Sequence, residues 1–117
     1  MLKKSILIQI PFFLFVSALA QDKKALVYFE KGKNDFLERK YESSLDNFEK
    51  YFARDSSKIE AYFRVAQIYE ALRNVPKATE YYKKLIQKDS LGVSYVQAYT
   101  YLGSRALETH RFEDAKK

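Results

Sequence analysis

The chain has 117 residues, among them 10 Tyr and 9 Phe, with no Trp and no Cys. The lack of Cys excludes disulfides, thiolate metal sites and Cys nucleophiles, so the fold has to rest on packing. The formal charge of +6 is spread over interspersed basic and acidic side chains; with no run of five basic residues it describes a solvated surface, not a nucleic-acid-binding face.

Met1 to Ala20 reads as a secretory leader. Lys3-Lys4 is the positive start, Ile6 to Val16 is the apolar stretch, and Ala18-Leu19-Ala20 supplies small residues for cleavage before Gln21. The segment from Ser5 to Ala20 contains Pro11 and falls short of the about 20 apolar residues that a membrane span needs. The roughly 100 residues that follow suffice for a modest core. Three Gly and two Pro in the whole chain suit helix better than sheet.

Helices are expected from about Lys23 to Glu38 and from Tyr41 to Arg54. Ser57 and Glu60 form a capping-box pattern at the start of a third helix. Along that helix Tyr62, Val65, Ala66 and Tyr69 make one apolar stripe at i, i+3, i+4, i+7. Asn74 is placed to cap a fourth helix, with Pro76 in its first turn, where a missing N–H does no harm. Ala78, Tyr82 and Leu85 form its stripe, and Lys83, Lys84 and Lys88 load its C-terminal half, as the helix dipole favours. Ser90 to Val93 is the longest linker. Ser94 with Gln97 is a second capping-box pattern, opening a fifth helix. A turn at His110 and a short sixth helix from about Arg111 complete the expected elements.

The chain also matches itself. A shift of 34 residues lays Tyr28 on Tyr62, Phe29 on Phe63, Gly32 on Ala66, Arg39 on Arg73, Ser44 on Ala78 and Phe48 on Tyr82. A shift of 37 lays Tyr62 on Tyr99, Val65 on Leu102, Ala66 on Gly103, Val75 on Phe112 and Ala78 on Ala115. Small residues recur where two helices must come close, and aromatics recur where one hairpin fills a groove. A unit of two short helices cannot bury its own face and has to be stacked.

On these residues the chain resembles the tetratricopeptide repeat, a helix-turn-helix unit with a period of 34 residues. Tyr62, Val65-Ala66, Tyr69, Ala78, Tyr82 and Leu85 sit in that family's signature positions, as do Leu102-Gly103, Phe112 and Ala115. Departures are Ser56 and Ser90 in place of proline, Arg39, Arg73 and His110 where the turn often has glycine, and Asp35 and Ala106 in place of an aromatic. The resemblance implies an all-α right-handed solenoid of antiparallel hairpins. Residues 1–20 would be the signal peptide and residues 21–117 the repeat domain. Its repeats would run over about 25–58, 59–92 and, in part, 96–117.

Little in the chain points to catalysis. His110 is the only His, so no second His shares a metal with it; there is no phosphate loop, and no Ser has a His and a small-residue elbow beside it. The reading is of a protein that is not an enzyme, with no cofactor, no nucleic acid and no small-molecule substrate. What remains is protein binding. By analogy with the repeat family, the concave face would expose Phe29, Lys33 and Phe36, then Phe63, Gln67 and Glu70, then Thr100, Ser104 and Leu107, with Arg64 and Tyr101 at the flank. Phe29 and Phe63 stand where a carboxylate clamp would need charge, so the expected occupant is an extended or helical apolar segment of a protein or peptide partner. A lysine-primed leader followed by Tyr-rich repeats also looks like the front of cell-envelope proteins of the Bacteroidota that continue into a domain resembling outer-membrane protein A. That likeness implies an exported, periplasmic or outer-membrane-associated docking module of an envelope or secretion assembly. The alternative is the regulatory or sensory repeat region of a longer exported enzyme or signalling protein.

Overall fold

The computed structural model describes residues 23–89 and 95–116. Within them the protein is all-α. Five helices occur and no strand: α1 over residues 23–37, α2 (Tyr41–Phe52), α3 (Ile59–Ala71), α4 (Val75–Lys88) and α5 (Val96–Lys116). The leader, the Ser90–Val93 linker and the Ser94 cap lie outside the described residues. The chain falls into two compact units, Met1–Ser56 and Ser57–Lys117. The first holds α1 and α2, the second α3 to α5.

In the first unit α1 buries Ala25, Phe29 and Gly32, which recur at i, i+4 and i+7, while α2 buries Ser44, Phe48 and Tyr51. The Phe29 ring lies 6.1 Å from that of Phe48 and 5.4 Å from that of Tyr51. Gly32 is small for a reason. A Cβ there would stand 3.0 Å from the Phe48 ring, so tight that the ring would have to shift by a few tenths of an ångström. Because the backbones approach so closely, the buried Ser44 hydroxyl reaches across and donates to the Gly32 carbonyl at 2.7 Å. At the exposed end Ser43 Oγ and Asn47 Nδ2 both donate to Asp35 Oδ2, at 2.6 and 3.0 Å. Asp35 thus ties the two helices with hydrogen bonds.

In the second unit α3 buries Ala61, Tyr62, Val65, Ala66 and Ile68, and α4 buries Ala78, Tyr82 and Leu85. The predicted α4 stripe is buried whole; of the α3 stripe Tyr62, Val65 and Ala66 are buried and Tyr69 is half-buried. α4 packs on α3 and on α5. Asn74 caps α4 as expected, its side chain accepting from the Lys77 amide at 3.2 Å, with Pro76 in the first turn. α3 begins at Ile59. Lys58 is its cap residue and makes no side-chain cap bond. Glu60 then lies in the first turn, where its carboxylate meets Arg64 one turn on at 3.4 Å.

The two inter-helix turns are the same turn twice. Arg39 and Arg73 have φ of 60° and 59°, the left-handed conformation. In the first, Arg39 N–H donates to the Phe36 carbonyl at 3.0 Å and Lys40 N–H to that of Asp35 at 2.8 Å. In the second, Arg73 N–H donates to the Glu70 carbonyl at 3.0 Å and Asn74 N–H to that of Tyr69 at 2.9 Å. Ser44 N–H to Lys40 O and Ala78 N–H to Asn74 O, both 2.9 Å, open the following helices. Each bond maps onto its counterpart under the 34-residue shift. These paired bonds satisfy the last carbonyls of a helix and normally favour glycine at the left-handed position. Arginine there costs about 1–2 kcal/mol.

The expected third turn is absent. α5 runs unbroken from Val96 to Lys116 through His110, so no turn divides these residues into a hairpin. His110 Nε2 instead faces Asp114 Oδ2 one turn on, at 3.2 Å. Thr109, His110 and Arg111 offer neither Gly nor Pro, and nothing there enforces a left-handed residue. Residues 106–116 are exposed throughout.

This difference between positions 73 and 110 is measurable. Arg73→Gly relieves the left-handed strain and should leave stability unchanged or raise it by up to about 1 kcal/mol. His110→Gly, placed inside a helix, should lower local helix stability by about 1 kcal/mol and speed amide exchange over residues 106–116. Thermal melts and hydrogen exchange compare the two; equal stabilisation by both glycines would make position 110 a turn.

Candidate functional site

Of the sequence-predicted groove residues, Phe29, Lys33 and Phe36 belong to the first unit. Phe63, Arg64, Gln67, Glu70, Tyr101 and Ser104 belong to the second. Each group is accounted for within its own unit.

In the first unit the expectation for Phe29 is corrected. It is 3% exposed and held between Phe48 and Tyr51, so it is core and not groove surface. The i, i+4, i+7 spacing that placed it on a free stripe also fits the buried stripe Ala25-Phe29-Gly32, and close packing against Gly32 and Phe48 selects the latter. Phe36 is half-buried beside the Tyr41 ring, at 6.3 Å. Lys33 lays its Nζ 5.2 Å from the centre of the Phe29 ring and 4.0 Å from Glu30. Its stem covers the aromatic while its ammonium reaches water.

In the second unit two more expectations change. Tyr101 is 8% exposed, stacked 4.7 Å from the Tyr82 ring, and belongs to the core. Phe63 is half-buried, with Tyr95 at 4.8 Å and Tyr82 at 6.5 Å between ring centres. It gains from internal packing that the sequence reading did not assign to it. Ser104 is exposed, but its hydroxyl donates to the Tyr101 carbonyl of its own helix at 2.8 Å.

The polar members of the predicted stripe do come together. Tyr82 OH on α4 donates to Glu70 Oε2 on α3 at 2.6 Å, a short charge-assisted bond. Gln97 Nε2 on α5 donates to the same phenol oxygen at 3.4 Å, and Gln67 Nε2 on α3 donates to Gln97 Oε1 at 3.5 Å. Arg64 continues the line, its Nη1 donating to Gln67 Oε1 at 3.3 Å and its Nη2 to Glu60 Oε1 at 3.4 Å. Only the Tyr82–Glu70 bond is short; the others are long and correspondingly weak. The line therefore has one firm anchor at Tyr82–Glu70, with longer bonds through Gln97 and Gln67.

Burial holds the Tyr82 phenol far above its ordinary value, with its bond to Glu70 acting in the same direction. Tyr82 is a fixed donor here, not an acid or base for chemistry near neutral pH. Burial also raises Tyr95, with Glu60 adding to the effect. Among the described residues no group of three or more His, Asp or Glu side chains could hold a metal ion. None of the described helices is long and apolar enough to cross a membrane.

Tyr82, Tyr95 and Gln97 were not singled out for this network from the sequence. The signal was nonetheless present: the 34-residue shift lays Phe36 on Glu70 and Phe48 on Tyr82, two apolar positions exchanged together for an acceptor and a donor. No protein-family model matches the chain, and no characterised protein and no solved structure matches it either.

Tyr82→Phe removes the donor and leaves the Glu70 carboxylate without it, a loss of about 1.5–3 kcal/mol by urea melts. The linkage has a definite sign. The folded-state phenol is raised above the ordinary 10.0, so its stabilising contribution is complete below pH 10 and is lost as pH rises above that value. Melts taken in steps above pH 10 should therefore show a decline that is shallower in Tyr82→Phe than in the parent protein.

Proposed function

We propose that this chain is a non-catalytic protein-binding module built from tetratricopeptide-like hairpins of a right-handed solenoid. The observation that carries the reading is the repeated turn. Arg39 and Arg73 share a left-handed conformation and the same set of backbone bonds at a spacing of 34 residues, which is the period of that repeat. Arginine rather than glycine at both positions makes a chance match in backbone geometry harder to obtain.

The binding surface on this reading is the polar edge of α3, where Arg64 and Gln67 are half-buried and joined by a long hydrogen bond. A partner segment crossing α3 would replace long internal contacts with its own. Half-buried Phe63 beside them supplies apolar contact, as in interfaces where a packed aromatic is rimmed by exchangeable polar groups. The leader pattern at Met1 to Ala20 supports export, and with it a place in the cell envelope or a secretion assembly, as in the envelope proteins that the chain's opening resembles.

Two outcomes are expected. Exported protein should begin at Gln21, as read by intact mass and N-terminal sequencing; retention of residues 1–20 in a membrane fraction would replace export by anchoring. The double variant Arg64→Glu with Gln67→Ala should keep its helicity by circular dichroism. Its affinity for partners recovered from envelope extract should fall by about tenfold, or about 1.4 kcal/mol. Unchanged affinity at unchanged helicity would remove α3 from the binding surface.

A further inference from the structure

The first unit gathers cations that are scattered along the sequence. On α1, Lys23, Lys24, Val27, Tyr28 and Lys31 recur at helical spacing and share one side of the helix. They line an open hollow of about 280 Å³. Tyr28 also borders a second hollow of about 400 Å³, with Lys50, Ala53 and Arg54 from the C-terminal end of α2 and the residues after it. Lys50 Nζ and Arg54 Cζ stand 5.8 and 5.6 Å from the centre of the Tyr28 ring, so one aromatic joins the two hollows into a single surface.

Charge on this surface is one-sided. Among the described residues neither hollow is lined by a carboxylate, and of the five cations Lys50 alone is ion-paired, with Asp46 at 3.0 Å. Residues 1–22 carry Lys3 and Lys4 against the one acid Asp22, so they bring no net negative charge to it. Nor is it a face built for packing. Under the 34-residue shift Val27, Tyr28 and Lys31 correspond to Ala61, Tyr62 and Val65 of α3, which are 0%, 7% and 2% exposed. On α1 Val27 is 52% exposed, and Lys31 puts a charge where α3 has a buried valine. An apolar helix laid over Lys31 would strip water from an ammonium ion and give it no partner.

We propose that this surface docks the protein on an anionic lipid bilayer. Lipid phosphates meet Lys23, Lys24, Lys31, Lys50 and Arg54, while Val27 and the Tyr28 ring enter the boundary layer between the headgroups. A cluster of cations on an amphipathic helix is the electrostatic footprint of anionic-lipid binding, and lysine stems around an apolar residue suit the bilayer boundary. A polyanion in water answers the charge alone; a bilayer also takes Val27 out of water. This does not rest on the α3 edge being a binding surface, since that edge lies in the other unit.

Vesicles of phosphatidylglycerol mixed with phosphatidylcholine are the probe, and co-sedimentation of the full chain is the measurement. Binding should be at least about tenfold tighter than to phosphatidylcholine alone and should weaken as salt rises. Lys24→Gln with Lys31→Gln keeps helix propensity and should lower the affinity about 25-fold, or about fivefold for each lost cation. Lys83→Gln with Lys116→Gln, which removes the same charge from the second unit, should change it by no more than about twofold. All these variants share residues 1–22, so the difference between them belongs to the cluster. The chain has no Trp, and Val27→Trp therefore supplies a single reporter, whose emission should shift to the blue on the anionic vesicles and be quenched by brominated lipid. Equal binding to neutral vesicles, equal loss in the two double variants, or Trp emission unmoved by vesicles would overturn the proposal. Binding of duplex DNA or of polyglutamate in preference to the vesicles would overturn it in favour of a nucleic acid or an acidic protein.

Discussion

The first hairpin depends on one close approach, a small residue on its first helix beneath an aromatic ring on its second. At Gly32 the clearance is so tight that a single methyl group would strike the Phe48 ring. That distance sets the separation of α1 and α2, lets Ser44 reach the Gly32 carbonyl, and brings Phe29 under the same ring. Ala66 and Tyr82 hold the same positions in the second hairpin and are fully buried. Fully burying a large apolar side chain is worth about 1.5–3 kcal/mol, so a few such contacts outweigh the strain of an arginine held left-handed at the turn.

The second hairpin uses this frame for a polar purpose. Where the first has Phe36 and Phe48, the second has Glu70 and Tyr82, joined by a 2.6 Å bond. A buried phenol without a partner would be costly, and the exposed Glu70 carboxylate supplies the acceptor. The bond also aims the Tyr82 oxygen toward α5, where Gln97 donates to it. From there the line through Gln67 to Arg64 consists of long contacts. Bond length therefore grows from the core outward along one chain of side chains, from 2.6 Å at Tyr82–Glu70 to 3.5 Å at Gln67–Gln97.

Helix positions, the stripes of α3 and α4 and the Asn74 cap were legible in the sequence because each follows from local periodicity or from one residue's hydrogen-bonding chemistry. The 34-residue self-match carried further, since it placed the two turns that the backbone repeats. The side chains facing the predicted groove were less legible. Phe29 and Phe63 satisfy two stripes at once, and spacing alone does not decide which stripe an aromatic joins. Ring contacts with Tyr51 and Tyr95 decide it, and those partners lie 22 and 32 positions away. Similarly, Tyr82 looks like an ordinary core aromatic until its hydroxyl is matched with Glu70.

The unbroken α5 shows what makes a turn form. A turn at position 110 would break backbone hydrogen bonds of a continuous helix and hold His110 left-handed. At Arg39 and Arg73 the corresponding cost is met by a following helix that buries three side chains: Ser44, Phe48 and Tyr51 in one case, Ala78, Tyr82 and Leu85 in the other. Between His110 and Lys116 the one large apolar side chain is Phe112, which is 60% exposed, while Ala115 adds little area. Burial of that one aromatic, about 1.5–3 kcal/mol at most, stands against the strain of a left-handed His110 together with the helix bonds given up. With neither Gly nor Pro at positions 109 to 111, α5 keeps those bonds and runs through.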